Sequence, residues 1–214
     1  MIDGPNGDVL AELARLGTAT VYEAAGRVGL IDLEFHQLLP GSRVAGPART
    51  ARCGQDDNLM VHAVMAHLEP GDVVVVTMPE PGPVGVVGDL LATQAKAHGA
   101  AALLIDAGMR DTDELLALGL PIWARYVRVR GATKTKVGSI DAPVTVGGAE
   151  IRPGDIVLLD ADGAVVVARE RLAEVLEASR QRAGKETVKR ARLEAGELSY
   201  DIDGLRARVE GGGA

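Results

Sequence analysis

The spacing of apolar and polar residues changes several times along this chain. Val9, Leu10, Leu13 and Leu16 recur at helical spacing and Gly17 interrupts them, which predicts a first helix. A short second helix follows, with Thr18 or Thr20 as its cap and Glu23 three positions after Thr20, the spacing of a capping box. Residues 42–53 alternate loosely as a strand, and DVVVVTM (72–78) is an unbroken apolar run of the kind buried on both faces. PEPGPVGVVG (79–88) reads as a Pro/Gly loop, DLLATQAKAHG (89–99) as a helix ending at Gly99, and AALLIDAG (101–108) as another buried strand. Strands are predicted over 121–131 and 143–151, and 155–168 reads as a hairpin turning at Asp162-Gly163.

From residue 169 to 195 the chain is helical and charged, with Leu172, Val175 and Leu176 as its apolar stripe. This order predicts an α/β layered fold: one domain over 1–168 and a C-terminal helical arm over 169–214, ending in a loose GGGA tail. A helix of that length reaches a neighbouring subunit or presents a solvated face. LEPGDVVVV (68–76) and IRPGDIVLL (151–159) echo one another, as two tight turns that feed buried strands.

Composition narrows the function. Of 214 residues, 23 are Lys or Arg and 30 are Asp or Glu, a net charge of -7, which argues against a broad nucleic-acid groove. The aromatic residues, Tyr22, Phe35, Trp123, Tyr126 and Tyr200, are too few for a base-stacking platform, so the core is aliphatic. Cys53 is the single cysteine, which excludes a disulfide framework and an all-Cys zinc site. A reducing, cytoplasmic setting without membrane attachment is expected, because no apolar run reaches bilayer length.

Residues 85–114 carry the chemistry. Gly88 precedes a helix opening at Asp89-Leu90-Leu91. The first N–H groups of such a helix are unpaired, so this is either an anion seat or an ordinary Asp-started helix. The strand AALLID then runs through a glycine turn into Arg110-Asp111. That pair is either a surface ion pair or a division of labour, with a guanidinium fork for a carboxylate and a hard oxygen for Mg²⁺ or Mn²⁺. His62 and His67 are five apart and read as helix or core residues, and His98 as a helix end. Asp56 and Asp57 read as loop anchors, Cys53 and Trp123 as core, and Lys134 and Lys136 as exposed strand lysines or electrostatic helpers.

GDLLATQAKAHGAAALLIDAGMRD (88–111), with an acidic residue, twenty positions and then Arg-Asp, resembles the signature of the class II pyruvate aldolases that cleave 4-hydroxy-4-methyl-2-oxoglutarate and 4-carboxy-4-hydroxy-2-oxoadipate. These share a fold with the RraA-like regulators of RNase E. LGTATVYEAAGRVGLI (16–31), QDDNLMVHAV (55–64), the stretch 138–167 and KRARLEAGELSYDID (189–203) extend the resemblance over nearly the whole chain. The arm favours the aldolase branch. Thr135-Lys136 and the FHQLLPGSRV loop (35–44) depart from it, near the region that selects the distal carboxylates.

The resemblance implies a layered β/β/α fold of the swivelling-domain type, with sites between subunits of a trimer or a dimer of trimers. It implies a lyase that uses Mg²⁺ or Mn²⁺, with no Schiff-base lysine, releases pyruvate by retro-aldol cleavage and decarboxylates oxaloacetate as a side activity. Asp111 would bind the dication, Asp89 would orient a water of that dication, and Arg110 would hold the pyruvyl carboxylate with the backbone N–H groups of Leu90 and Leu91 beyond Gly88. Glu186, with Glu194 and Glu197 as rivals, would reach the site from the adjacent subunit's arm. The rivals in function are a non-catalytic regulator of an RNA-processing enzyme and a dedicated oxaloacetate decarboxylase.

Overall fold

The computed structural model describes residues 7–211, so residues 1–6 and most of the GGGA tail lie outside the described residues. Helices α1 (Gly7–Leu16) and α2 (Thr18–Ala24) are followed by the short strands β1 (Leu30–Ile31) and β2 (His36–Gln37). The central segment alternates β3 (Val44–Arg52), α3 (Leu59–Val64), β4 (Val73–Thr77), β5 (Gly85–Val87), α4 (Asp89–Ala97), β6 (Ala102–Met109), α5 (Thr112–Leu118) and β7 (Ile122–Val127). Strands β8 (Ser139–Ile140), β9 (Val144–Val146), β10 (Ala149–Ile151), β11 (Ile156–Asp160) and β12 (Gly163–Val167) lead to α6 (Leu172–Glu194), α7 (Ser199–Ile202) and α8 (Leu205–Glu210).

Among the described residues ten strands form one sheet, in the order β1-β12-β11-β3-β4-β6-β7-β2, with β5 added on β6 and β8 on β3. The pairs β3–β4, β4–β6, β5–β6 and β6–β7 are parallel. Both faces of the centre are covered, which is why its strands lack polar alternation. Val74, Val76, Leu103 and Ile105 pack under α3, α4 and α5 with Val61, Leu91, Ala95 and Leu115. Val73, Val75, Ala102 and Leu104 face the other way, against Val144, Val146 and Ile151 of the β9–β10 hairpin and against Trp123. The layering is therefore hairpin, sheet and helices, the β/β/α order the family resemblance implies. A third core joins Leu13, Val21, Val175 and Leu176 to Ile156 and Leu158, so the first turns of α6 pack against the body.

Four local expectations need correction. The capping box at Thr20 is not formed: α2 begins at Thr18 behind Gly17 (φ 86°), and Glu23 pairs with Arg27. The capping oxygens come from far along the chain, since Asp160 accepts from Thr18 N (2.8 Å) and Thr18 Oγ1 (2.6 Å). The 79–88 loop ends in β5, which finds hydrogen bonds on the edge of β6. Residues 143–151 form two strands, because Gly147 and Gly148 (φ 52° and 79°) allow a two-residue turn. The last hairpin pairs Asp160 with Gly163, so its turn is Ala161-Asp162, one residue earlier than expected.

The Pro-Gly-Asp echo is a repeated turn. Asp72 accepts from Glu69 N (2.9 Å) and Asp155 from Arg152 N (2.8 Å), and both carboxylates are buried at the start of a core strand. No helix among the described residues is long and apolar enough to cross a membrane.

Candidate active site

The site forms where β5 and β6 both end. Arg110 N donates to Val87 O (3.0 Å), which ties the exit of β6 to β5 one residue before Gly88. Asp111 then adopts a left-handed conformation (φ 60°, ψ 44°) and starts α5, with Leu115 N donating to its carbonyl (2.9 Å). That reversal turns its carboxylate back to α4, where Asp111 Oδ2 accepts from Asp89 N (3.3 Å). Arg110 Nε lies 3.4 Å from the same oxygen. The hydrogen-bond ladder of α4 opens with Ala92 N on Gly88 O (3.1 Å), so the N–H groups of Leu90 and Leu91 precede it, as helix-end donors do.

Three glycines clear this corner. A Cβ on Gly88 would fall on Asp111 Oδ2 and within 3.2 Å of Arg110 Nε. One on Gly131 would stand 2.7 Å from Arg110 Nη1, and one on Gly85 would stand 3.2 Å from Arg110 Cβ. Gly88, Asp89, Leu90, Leu91, Arg110 and Asp111 thus line one cavity of about 110 Å³, and the sequence-predicted residues of this segment converge. The side chains of Arg110 and Asp111 are 47% and 34% exposed, within reach of a small molecule.

The far wall was legible in the sequence only at Lys134, offered there as an exposed lysine or an electrostatic helper. Asn58, His62 and Lys134 also line the cavity, so His62 is a cavity residue and not only a helix or core residue. Asn58 is buried; its Nδ2 donates to Val86 O (2.9 Å), while its Oδ1 has no partner. His62 Nε2 is likewise buried without a partner. Burial, and then the charge of Lys134, lower the His62 pKa below its ordinary value, which favours the uncharged ring. The signal available was a spacing of four between Asn58, just before α3, and His62 one turn into it, whose N–H donates to Asn58 O (3.3 Å).

Asp57 fastens this wall. It is fully buried and accepts from Leu59 N (2.8 Å), Thr133 Oγ1 (2.6 Å), Thr135 N (2.6 Å) and Lys136 N (3.1 Å). Burial alone would raise its pKa; these donors outweigh that and hold the carboxyl well below the usual carboxylate range. Asp56 lies beside Arg130 (3.4 Å). Cys53 is buried and its thiol is pushed up to about 11, chiefly by burial, which suits a core residue and not a nucleophile. His67 and His98 are exposed and line no part of this cavity.

Among the described residues no group of three or more His, Cys, Asp or Glu could hold a metal. A dication that keeps most of its waters needs only one or two carboxylates. Asp111 offers an Oδ1 with no hydrogen bond, and the Asp89 carboxylate has no ion pair or hydrogen bond among the described residues. The donors are hard oxygens, so they fit Mg²⁺ or Mn²⁺ and not a thiophilic ion. Glu186 is not brought to this cavity within the chain: it pairs with Arg182 on α6 (2.9 Å), and Glu197 pairs with Arg192 (2.5 Å).

Comparison with known proteins gives the frame. The chain is 30% identical over 204 residues to a protein of Halalkalibacterium halodurans provisionally named a 4-hydroxy-4-methyl-2-oxoglutarate aldolase, covering 95% of this chain and 94% of that one. Streptomyces coelicolor RraAS2, described as an unusual member of the RNase ES inhibitor RraA protein family, is 31% identical with a TM-score of 0.77, covering 89% of this chain and 99% of its own. The RNA-processing inhibitor RraA from Thermus thermophilus is 26% identical with a TM-score of 0.62, covering 70% of this chain and 91% of its own. Residues 18–166, which hold all of the sheet but Val167 and every residue lining the cavity, match the RraA-like (Aldolase/RraA) family, and the chain belongs to it.

Proposed function

We propose that this chain is a divalent-metal-dependent lyase. It cleaves 4-hydroxy-2-oxo di- or tricarboxylic acids, such as 4-hydroxy-4-methyl-2-oxoglutarate and 4-carboxy-4-hydroxy-2-oxoadipate, to pyruvate and a second keto acid. The observation that carries this reading is the meeting of Arg110, Asp111 and the open end of α4 in one cavity. The name of the Halalkalibacterium relative supports the same class.

The central problem of the reaction is charge. Breaking the C3–C4 bond leaves an enolate on the pyruvyl fragment, so positive groups fixed beside the 2-oxo acid stabilise that state more than the substrate. Arg110 grips the pyruvyl carboxylate with its planar fork, and the N–H groups of Leu90 and Leu91 complete the seat. Asp111 would hold Mg²⁺ or Mn²⁺, with Asp89 and the partner subunit's Glu186 as the further carboxylates near it. The dication, when bound, supplies Lewis-acid polarisation of the 2-keto oxygen. Asp89 would orient the water or hydroxide that takes the C4 hydroxyl proton, and a proton delivered to C3 of the enolate completes pyruvate. Because loss of CO₂ from oxaloacetate gives the same enolate, decarboxylation accompanies the aldol activity. Residues 1–168 form the catalytic body, on which the first turns of α6 pack, and the rest of the 169–214 arm packs on the next chain of a trimer or a dimer of trimers.

The kinship with the RNase ES inhibitor family favours a second reading, a non-catalytic regulator that binds a ribonuclease. Pyruvate release from the two aldol substrates with Mg²⁺ separates the readings. Metal-dependent release faster than oxaloacetate decarboxylation supports the aldolase. Tight capture of a purified ribonuclease without any lyase activity supports the regulator, and oxaloacetate turnover alone points to a dedicated decarboxylase.

A further inference from the structure

The segment from Ile122 to Gly138 contains Arg125, Arg128, Arg130, Lys134 and Lys136, and no Asp or Glu, in a chain of net charge -7. Four of the five cations are already engaged. Arg125 pairs with Asp106 (3.0 Å), Arg128 donates to Val127 O (2.7 Å), Arg130 lies beside Asp56 (3.4 Å) and Lys136 donates to Gln55 O (2.7 Å). The Lys134 ammonium has neither an ion pair nor a hydrogen bond among the described residues, and it is the one of the five that lines the cavity. Its backbone is held on both sides, because Asp57 accepts from Thr133, Thr135 and Lys136. The neighbouring Asn58 binds β5 through Val86 O, and β5 leads directly to Gly88 and α4. A cation without a partner among the described residues therefore lines the same cavity as the Arg110 guanidinium, on a backbone anchored to either side.

We infer that Lys134 is a specificity-determining residue that receives the distal carboxylate of the substrate while Arg110 holds the carboxylate beside the ketone. This rests on the reading of the cavity as a 2-oxo acid site and deepens it. The preferred ligand carries two separated acid groups, and Lys134, solvent-exposed at the cavity, favours diacids over monoacids by adding a charge-assisted hydrogen bond that only the second carboxylate can accept.

Calorimetric titration of the full-length protein with 2-oxoglutarate and 2-oxopentanoate, in the presence of Mg²⁺, tests this. The two ligands share the ketone and differ in one terminal carboxylate, and neither has a C4 hydroxyl to be cleaved. Wild type is expected to prefer 2-oxoglutarate by about tenfold, as one added charge-assisted hydrogen bond provides. Lys134→Gln is expected to bring that preference to within about twofold, mainly by weakening 2-oxoglutarate, while Lys136→Gln keeps it. Thermal melting of both variants checks that they fold. Equal binding of the two ligands by wild type, or an unchanged preference in Lys134→Gln, overturns the role of Lys134 alone. Failure of wild type to bind either ligand overturns the 2-oxo acid reading and this inference with it.

Discussion

At the scale of single residues, the account depends on a few atoms at the exit of β6. Asp111 combines a left-handed backbone with a carboxylate shared between Asp89 N and Arg110 Nε. Asp111→Ala is expected to abolish pyruvate release without loss of folded protein, read by coupled assay and thermal melting. Arg110→Ala is expected to lower kcat/KM by about a hundredfold or more, the usual effect of removing one preorganised electrostatic partner. Gly88→Ala puts a methyl group onto the Asp111 carboxylate, so it should cripple turnover although it only adds a methyl group. The Arg-Asp pair and the glycine before the helix were legible because adjacent residues and a helix start are local features. His62 was read only as a helix or core residue, and Lys134 only as an exposed lysine or an electrostatic helper, because their place in one cavity with α4 depends on long-range packing of the 58–62 and 128–138 segments.

At the scale of elements, buried carboxylates join pieces distant in sequence. Asp160 supplies the start of α2 with the oxygens that Thr20 and Glu23 were expected to provide. A capping oxygen from 142 residues away cannot be inferred from neighbouring residues, whereas the helix itself could be. Asp57 does the same for the strap over the cavity. Its depressed pKa means that the stability it contributes is fully present above about pH 4, the unfolded value, and is lost as pH falls towards the folded value. Asp57→Asn is expected to cost about 1–3 kcal/mol near neutral pH, through mispaired buried donors, and to flatten stability against pH between about 5 and 2. Urea unfolding of both proteins across that range measures the effect; parallel pH profiles would show that Asp57 is not the titrating group.

At the scale of the molecule, the covered sheet and the arm are the main facts. The runs VVVV and ALLI were readable as buried strands because a sheet covered on both faces tolerates no polar alternation. Leu104→Ala, fully buried against the hairpin layer, should destabilise by about 2–5 kcal/mol in urea titration. The arm behaves differently: Val188, Leu193, Leu198 and Val209 are exposed beyond the turns that pack on the body. If they meet the next chain, sedimentation should give a mass that is a multiple of three 22.2 kDa chains. A chain shortened at residue 195 should then dissociate and lose activity together.

The most direct measurement uses pyruvate itself. Placing it in D₂O with Mg²⁺ and the protein, and following its methyl protons by NMR, reports whether the site stabilises the enolate without any carbon–carbon cleavage. Rapid exchange in wild type, dependent on Mg²⁺ and absent in Asp111→Ala and in Arg110→Ala, is the predicted result. Exchange no faster than in buffer, or exchange that survives both substitutions, would contradict the account.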